Sequence, residues 1–157
     1  MIILYNVIRQ LRIIILKLKE KGEDQVEKIY IIDDDQDIVE SISMVLKANG
    51  FEVSAQYNDE DVVENVSKYD PDLIILDVIF PEDHSAGFKM ARAIKSDDKL
   101  LKIPIIMLSA VNEKGIFLGR FSDQDIDQSW LPVNKFLEKP VQPKELLRLV
   151  KSVLSGE

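Results

Sequence analysis

Four apolar runs in this 157-residue chain end in groups that could do chemistry together. Ile29-Tyr30-Ile31-Ile32 runs into Asp33-Asp34-Asp35, Leu73-Ile74-Ile75-Leu76 into Asp77, and Ile103 to Leu108 into Ser109, while a run near Lys135 to Leu137 leads to Lys139-Pro140. Taken singly, an acidic run is a solvated turn or a helix cap, and a serine after an apolar run is a cap. Gathered in one crevice, three or more carboxylates repel one another, and raised pKa values or a bound divalent cation relieve that repulsion. The cation fits better. The chain has no cysteine and one histidine, His84, so every available ligand is an oxygen, which suits Mg²⁺ or Mn²⁺. A carboxylate beside such an ion can attack phosphorus, with the metal and an ammonium group neutralising the phosphoryl oxygens. Asp77, Lys139 and the cation form that set.

Asp33, Asp35 and Asp37 have the period of a calcium loop, but the sixth position is Ile38 where that loop needs glycine. The twelfth is Met44 where it needs a bidentate glutamate. A phosphate-cradling flavin loop is excluded by the same three aspartates, which would repel the phosphate. His84, between Asp83 and Ser85, reads as a solvated loop residue.

The elements that must position these groups follow from the alternation of short apolar runs with amphipathic stretches from Lys28 onward, the pattern of a parallel sheet covered on both faces. Gln36 to Asn49 places Ile38, Ile42, Val45 and Leu46 on one helical face, and Gly50 supplies a left-handed stop. Phe51 to Ala55 predicts a second strand, and Asn58 a cap for a helix carrying Val62, Val63 and Val66. Leu73 to Leu76 is uniformly apolar, as a central strand buried on both faces must be. Further helices are predicted around Phe88, Ala91 and Ile94, more weakly after strand four, and from Pro143, where Leu146, Leu147, Val150, Val153 and Leu154 make a stripe. Five βα units result, with functional groups expected outside the carboxyl ends of the strands.

Composition agrees with one folded α/β domain: 46% of residues are hydrophobic and 31% charged, with 6 Gly and 6 Pro, which excludes disordered and low-complexity chains. The net charge of -8 argues against a nucleic-acid surface. Its distribution is uneven. Residues 1–19 carry Arg9, Arg12, Lys17 and Lys19 and no acid, a charge of +4, which leaves -12 on the rest. Residues 1–27 therefore divide off as a basic amphipathic arm and charged linker from a domain over 28–157. Leu4, Val7, Leu11, Ile14 and Leu18 recur at helical-seam spacing. Polar residues interrupt the arm too often for a membrane span or signal peptide. Three uses of an arm helix remain open: packing on its own domain, homodimerisation, and contact with an anionic membrane surface.

Over about residues 28 to 154 the order, type and strand placement of these residues resemble the receiver domain of two-component response regulators. The resemblance implies a doubly wound five-stranded parallel sheet with flavodoxin-like strand order 2-1-3-4-5, here with an extra N-terminal helix. It implies that Asp77 is the phosphoacceptor, and that Asp33, Asp34, Asp77 and the main-chain carbonyl of Ile79 hold Mg²⁺. Ser109 would hydrogen-bond the phosphoryl group, Lys139 would pair with it, and Phe136 would be an aromatic switch working with Ser109. The Lys139-Pro140 bond is often cis in that family, and Pro81 also fits. Two departures flank the site. The loop from Asp77 to Gly87 is about two residues longer than usual, and the interval from Ser109 to Lys139 about eight longer, including Phe121 to Pro132 with Trp130.

A haloacid-type phosphatase also uses a strand-end aspartate, Mg²⁺ and lysine, but it resembles Asp-x-Asp at the nucleophile, whereas Asp77 precedes Val78 and Ile79. With no acid there, no group protonates an alkoxide leaving group. A receiver-like adaptor that works without phosphorylation is the other rival. The expectation is a stand-alone cytoplasmic receiver, not an enzyme with turnover of its own substrate. Its partners would be a sensor histidine kinase or phosphotransfer protein and a downstream protein target, with no nucleic acid.

Overall fold

The computed structural model describes residues 25–110 and 132–156. In chain order the elements are β1 (Lys28–Ile32), α1 (Gln36–Ala48), β2 (Glu52–Gln56), α2 (Val62–Tyr69), β3 (Leu73–Asp77), α3 (Ala86–Ser96), β4 (Ile105–Ala110), β5 (Lys135–Lys139) and α4 (Pro143–Ser155). The helix expected within residues 1–19, the weaker helix after β4, and Trp130 with the 121–131 part of the insertion lie outside the described residues.

The five strands form one parallel sheet in the order β2-β1-β3-β4-β5, as expected. β3 is central and buried at all five positions, which is why its sequence shows no polar alternation. Alternate residues of β1 and β3 feed two cores. Tyr30, Ile32, Ile74 and Leu76 pack with Val62 and Val66 of α2 and Ala91 and Ile94 of α3. Ile29, Ile31, Leu73 and Ile75 pack with Ile42 and Leu46 of α1 and Leu146 and Val150 of α4. Each fully buried Leu or Ile contributes about 1.5–3 kcal/mol.

Element ends differ from expectation for local reasons. Phe51 belongs to the turn after α1, because its N–H donates to Leu46 O at 3.2 Å, so β2 begins at Glu52 and runs one residue further, to Gln56. Ile103 likewise closes a turn onto Leu100 O, and β4 starts after Pro104. Asn58 does not cap α2. Its Oδ1 accepts from Glu60 N at 3.2 Å, while Gln56 Nε2 donates to Asn58 O at 2.7 Å and Glu60 O at 3.1 Å. Those bonds hold residues 58–60 as a turn, and α2 starts behind Asp61, in the left-handed region with φ 49°. The α1 and α4 stripes also take in Val39 and Leu149, both buried, while Ile38, Val45, Leu147, Val153 and Leu154 are only partly buried.

Candidate functional site

Parallel pairing brings the carboxyl ends of β1, β3 and β5 to one edge of the domain. Ile32 pairs with Leu76, so Asp33 leaves β1 beside Asp77, and Lys139 closes β5 opposite Ala110 on β4. Asp33 is fully buried and Asp77 is 4% exposed. Lys139 reaches both: its Nζ lies 2.8 Å from Asp33 Oδ2 and 3.1 Å from Asp77 Oδ1. Asp33 Oδ1 accepts from Asp35 N at 2.9 Å, whereas Oδ2 receives no well-directed hydrogen bond and has the ionic contact with Lys139 instead. Asp35 serves as the N-cap of α1, accepting from Asp37 N and Ile38 N.

Two buried carboxylates share one ammonium, so the charge is not balanced within the pocket. Burial, and then the neighbouring Asp33 charge, push the Asp77 carboxyl up to about 6, with Lys139 and the Ile79 main chain pulling the other way. Asp33 is raised as well, first by burial, and Lys139 opposes that rise. Burial works against the Lys139 charge, but Asp33 and Asp77 outweigh it and hold the ammonium above its ordinary range. Asp34, half-buried, adds a third carboxylate. Oxygen atoms of Asp33, Asp34 and Asp77 all lie within 4.8 Å of one another. This all-oxygen cluster, with its surplus negative charge and a poorly satisfied Asp33 Oδ2, fits a hard divalent cation such as Mg²⁺.

Ser109 is half-buried within β4, opposite Glu138. Phe136 pairs with Met107, so Ser109 and Phe136 occupy the same face of the β4–β5 ribbon two positions apart, and Phe136 is partly buried against the α2–α3 side core. Ile79 lies two residues past Asp77 in the β3–α3 loop and packs against that same core. The Lys139-Pro140 bond is cis. His84 is exposed in the loop.

Two contributors are invisible to a reading of chemistry-bearing side chains. Gly87 packs the start of α3 onto the end of β3: a Cβ there would sit 2.2 Å from Asp77 O and 2.7 Å from Val78 Cα and O. Only glycine fits, and Gly87 N donates to Val78 O at 3.2 Å. The second is Gln56, buried at the end of β2, whose main-chain oxygen accepts from Asp33 N at 3.2 Å. Its side chain accepts from Tyr30 Oη at 3.1 Å and ties down the following turn. A one-residue extension of β2 beyond Ala55 would have shown Gln56; for Gly87 no local signal exists.

The β3–α3 loop is organised by Asp83, whose Oδ1 accepts from Ser85 N at 2.8 Å and Ser85 Oγ at 2.6 Å while Oδ2 pairs with Lys89 Nζ at 2.5 Å. The loop is thus held as a turn, and Gly87 reaches the end of β3.

A family model described as the response regulator receiver domain matches residues 29–151. The phosphate regulon transcriptional regulatory protein PhoB of Pseudomonas aeruginosa is 32% identical over 126 residues, which cover 80% of this chain and 51% of that protein. The transcriptional regulatory protein GltR of the same organism is 33% identical, covering 80% and 48%. The chain thus spans about half the length of these curated relatives. The chemotaxis protein CheY4 of Vibrio cholerae shares the fold with a TM-score of 0.68 at 23% identity, over 82% of this chain and 98% of that one. With the strand order, the buried Asp33–Asp77–Lys139 set and this match over most of its length, the chain belongs to the response regulator receiver family of two-component systems.

Proposed function

We propose that the chain is a phosphoacceptor that takes a phosphoryl group on Asp77 from a phosphohistidine of a sensor kinase or phosphotransfer protein. The observation that carries this reading is the pairing of one buried ammonium, Lys139, with two buried carboxylates, where burial first and then the Asp33 charge raise Asp77 to about 6. At neutral pH Asp77 is then mostly ionised, yet poorly solvated, which favours nucleophilic attack. An Asp77 oxygen forms the new O–P bond, the N–P bond of phosphohistidine breaks, and the imidazole leaves with the electron pair and takes up a proton. Attack of water on the acyl phosphate later returns the carboxylate and inorganic phosphate.

Asp33, Asp34 and Asp77, with the Ile79 carbonyl, would hold Mg²⁺, which supplies charge neutralisation at the phosphoryl oxygens. Lys139 exchanges one of its carboxylate contacts for a phosphoryl oxygen, and Ser109 offers a hydroxyl from the adjacent strand. Movement of Ser109 toward the phosphoryl group and of Phe136 behind it would carry the signal along their shared face to a protein target.

Incubation with acetyl phosphate and Mg²⁺ should add ~80 Da, labile to acid and base, and Asp77→Asn should abolish the adduct. An unchanged adduct on that variant overturns the assignment. No adduct on the unsubstituted chain with either acetyl phosphate or a phosphohistidine donor favours the phosphorylation-independent adaptor instead.

A further inference from the structure

The face formed by α2 and α3 is an open groove of about 770 Å³ on the side of the sheet away from α1 and α4. Its floor is aliphatic, made by Val62, Val63, Met90 and Ala93, and its rim carries Asp59, Asp61, Glu64 and Asp97. Lys68 and Lys89 are the groove's cations, so it is net negative, and Lys89 is already committed to Asp83. Among the described residues, Asp59, Asp61 and Glu64 form no ion pair.

The chain enters the domain at the foot of this groove. Lys28 N donates to Asp72 Oδ2 at 2.8 Å, and Lys28 Nζ stands 5.5 Å from the ring centre of Tyr69, the last residue of α2. Residues preceding Lys28 therefore start beside the end of the groove at which α2 finishes. Those residues include a segment whose apolar seam, Leu4, Val7, Leu11, Ile14 and Leu18, is flanked by Arg9, Arg12, Lys17 and Lys19 without an acid. We propose that residues 4–18 dock as an amphipathic helix in the α2–α3 groove of their own domain, apolar seam on the aliphatic floor and basic residues on the acidic rim.

Length, charge and tethering each support this occupant. The eleven residues of α3 extend ~16 Å and residues 4–18 as a helix ~22 Å, so the helix covers the whole groove. The linker, Lys19 to Asp24, spans up to ~20 Å when extended, enough to turn the helix back from Lys28. Entering from the foot puts Lys17 and Lys19 nearest Asp97 and Arg12 toward Glu64, Asp61 and Asp59, while Arg9 falls on the face opposite the seam. Helix-in-groove packing of this kind draws affinity from the seam and register from the charges. A short tether gives an effective concentration in the ~mM range, which favours the chain's own arm over that of a second copy.

The absence of cysteine makes the test clean. A spin label on Ala93→Cys in the full ¹⁵N-labelled chain should bleach most of the amide signal of residues 4–18. The same label on Met44→Cys, 68% exposed on α1 across the sheet, should leave it intact. The combined change Asp59→Asn, Asp61→Asn and Glu64→Gln should redistribute the bleaching along residues 4–18, and so should 1 M salt, since the Debye length falls to ~3 Å. Unbleached arm signals with the Ala93 label, or equal bleaching from both positions, overturn the proposal. Bleaching that persists when spin-labelled ¹⁴N chains are mixed with unlabelled ¹⁵N chains assigns the groove to a second copy and overturns it too. Arm signals indifferent to the Ala93 label but lost on adding phosphatidylserine vesicles reassign the arm to lipid. None of these readouts depends on phosphoryl uptake, so they stand or fall apart from the role given to Asp77.

Discussion

Asp77 and Asp83 lie six residues apart, each within ion-pair distance of a lysine, and their carboxyl groups are displaced in opposite directions. Asp77 meets Lys139 at 3.1 Å and is raised to about 6, whereas Asp83 meets Lys89 at 2.5 Å and is held well below the usual carboxylate range. Proximity to a cation does not decide the sign. Asp77 is buried at the end of a five-residue apolar strand and shares its lysine with Asp33, so desolvation and like charge prevail. Asp83 is solvated and collects its hydrogen bonds from Lys89 and Ser85 with no competing acid. The same residue type serves once as a buried member of a charged cluster and once as the organiser of a turn.

Gly87 packs the start of α3 onto the end of β3, and breaking that contact should have the largest effect. Gly87→Ala puts a methyl group 2.2 Å from Asp77 O, where rigid backbone on both sides cannot yield. The expected loss is about 3 kcal/mol or more, the upper end for overpacking, with loss of phosphoryl uptake. Chemical denaturation measures the first and acetyl phosphate labelling the second. Wild-type stability in this variant would show that the β3–α3 junction is looser than its geometry states.

Much of the buried environment could be read from the residues, and the reasons it could are physical. An uninterrupted Leu73–Leu76 run has to be a central strand, and parallel pairing then gathers Asp33, Asp77 and Lys139 at one edge because each ends its strand. The helical stripes were legible to within one residue, with Val39 and Leu149 missed at their margins. Gly87 was not legible, since its constraint is a close approach between two elements, and nothing in Ala86-Gly87-Phe88 announces it. Asn58 misled because an Asn before a helix satisfies an Asx turn as readily as a cap, and Gln56 from the adjoining strand settled the competition.

The next largest effect tests the sign at Asp77. Its carboxyl rises from an ordinary 3.8 to about 6 on folding, so its contribution to stability is fully present below pH 4 and is lost as pH rises through 6. Metal-free protein should therefore be less stable at pH 7.5 than at pH 4 by about 2–3 kcal/mol from this group. Asp77→Asn should recover a similar amount at pH 7.5 and flatten that part of the pH profile. A destabilised Asp77→Asn in EDTA would mean that the pair with Lys139 outweighs desolvation and the charge of Asp33, contrary to the comparison.

Magnesium should relieve the same strain from outside. At ~10 times its dissociation constant, Mg²⁺ binding to the native state alone adds about 1.4 kcal/mol, seen as a rise in thermal midpoint at neutral pH. Asp34→Asn should weaken this response, because it removes one of three clustered carboxylates, while leaving Lys139 in place. An undiminished magnesium response in Asp34→Asn would take Asp34 out of the cation set.

The smallest effect belongs to Asp83, and its smallness is the point. Its partner Lys89 has a side chain 61% exposed, so solvent and salt screen their attraction, and such pairs contribute little to global stability. Asp83→Asn keeps a carbonyl oxygen able to accept from Ser85 N and Oγ, so the turn should persist and the thermal midpoint should not move measurably. Asp83→Ala removes the acceptor itself, and amide exchange at Ser85, whose N–H loses its partner, should accelerate. In neither variant should the Asp77 carboxyl titration move, followed by its ¹³C resonance in metal-free protein, because burial and Asp33 set it rather than the loop's charge. If Asp83→Asn lowers the Asp77 midpoint appreciably, the loop and the buried pocket are one electrostatic unit, and the residues between Asp77 and Gly87 tune the buried carboxylate.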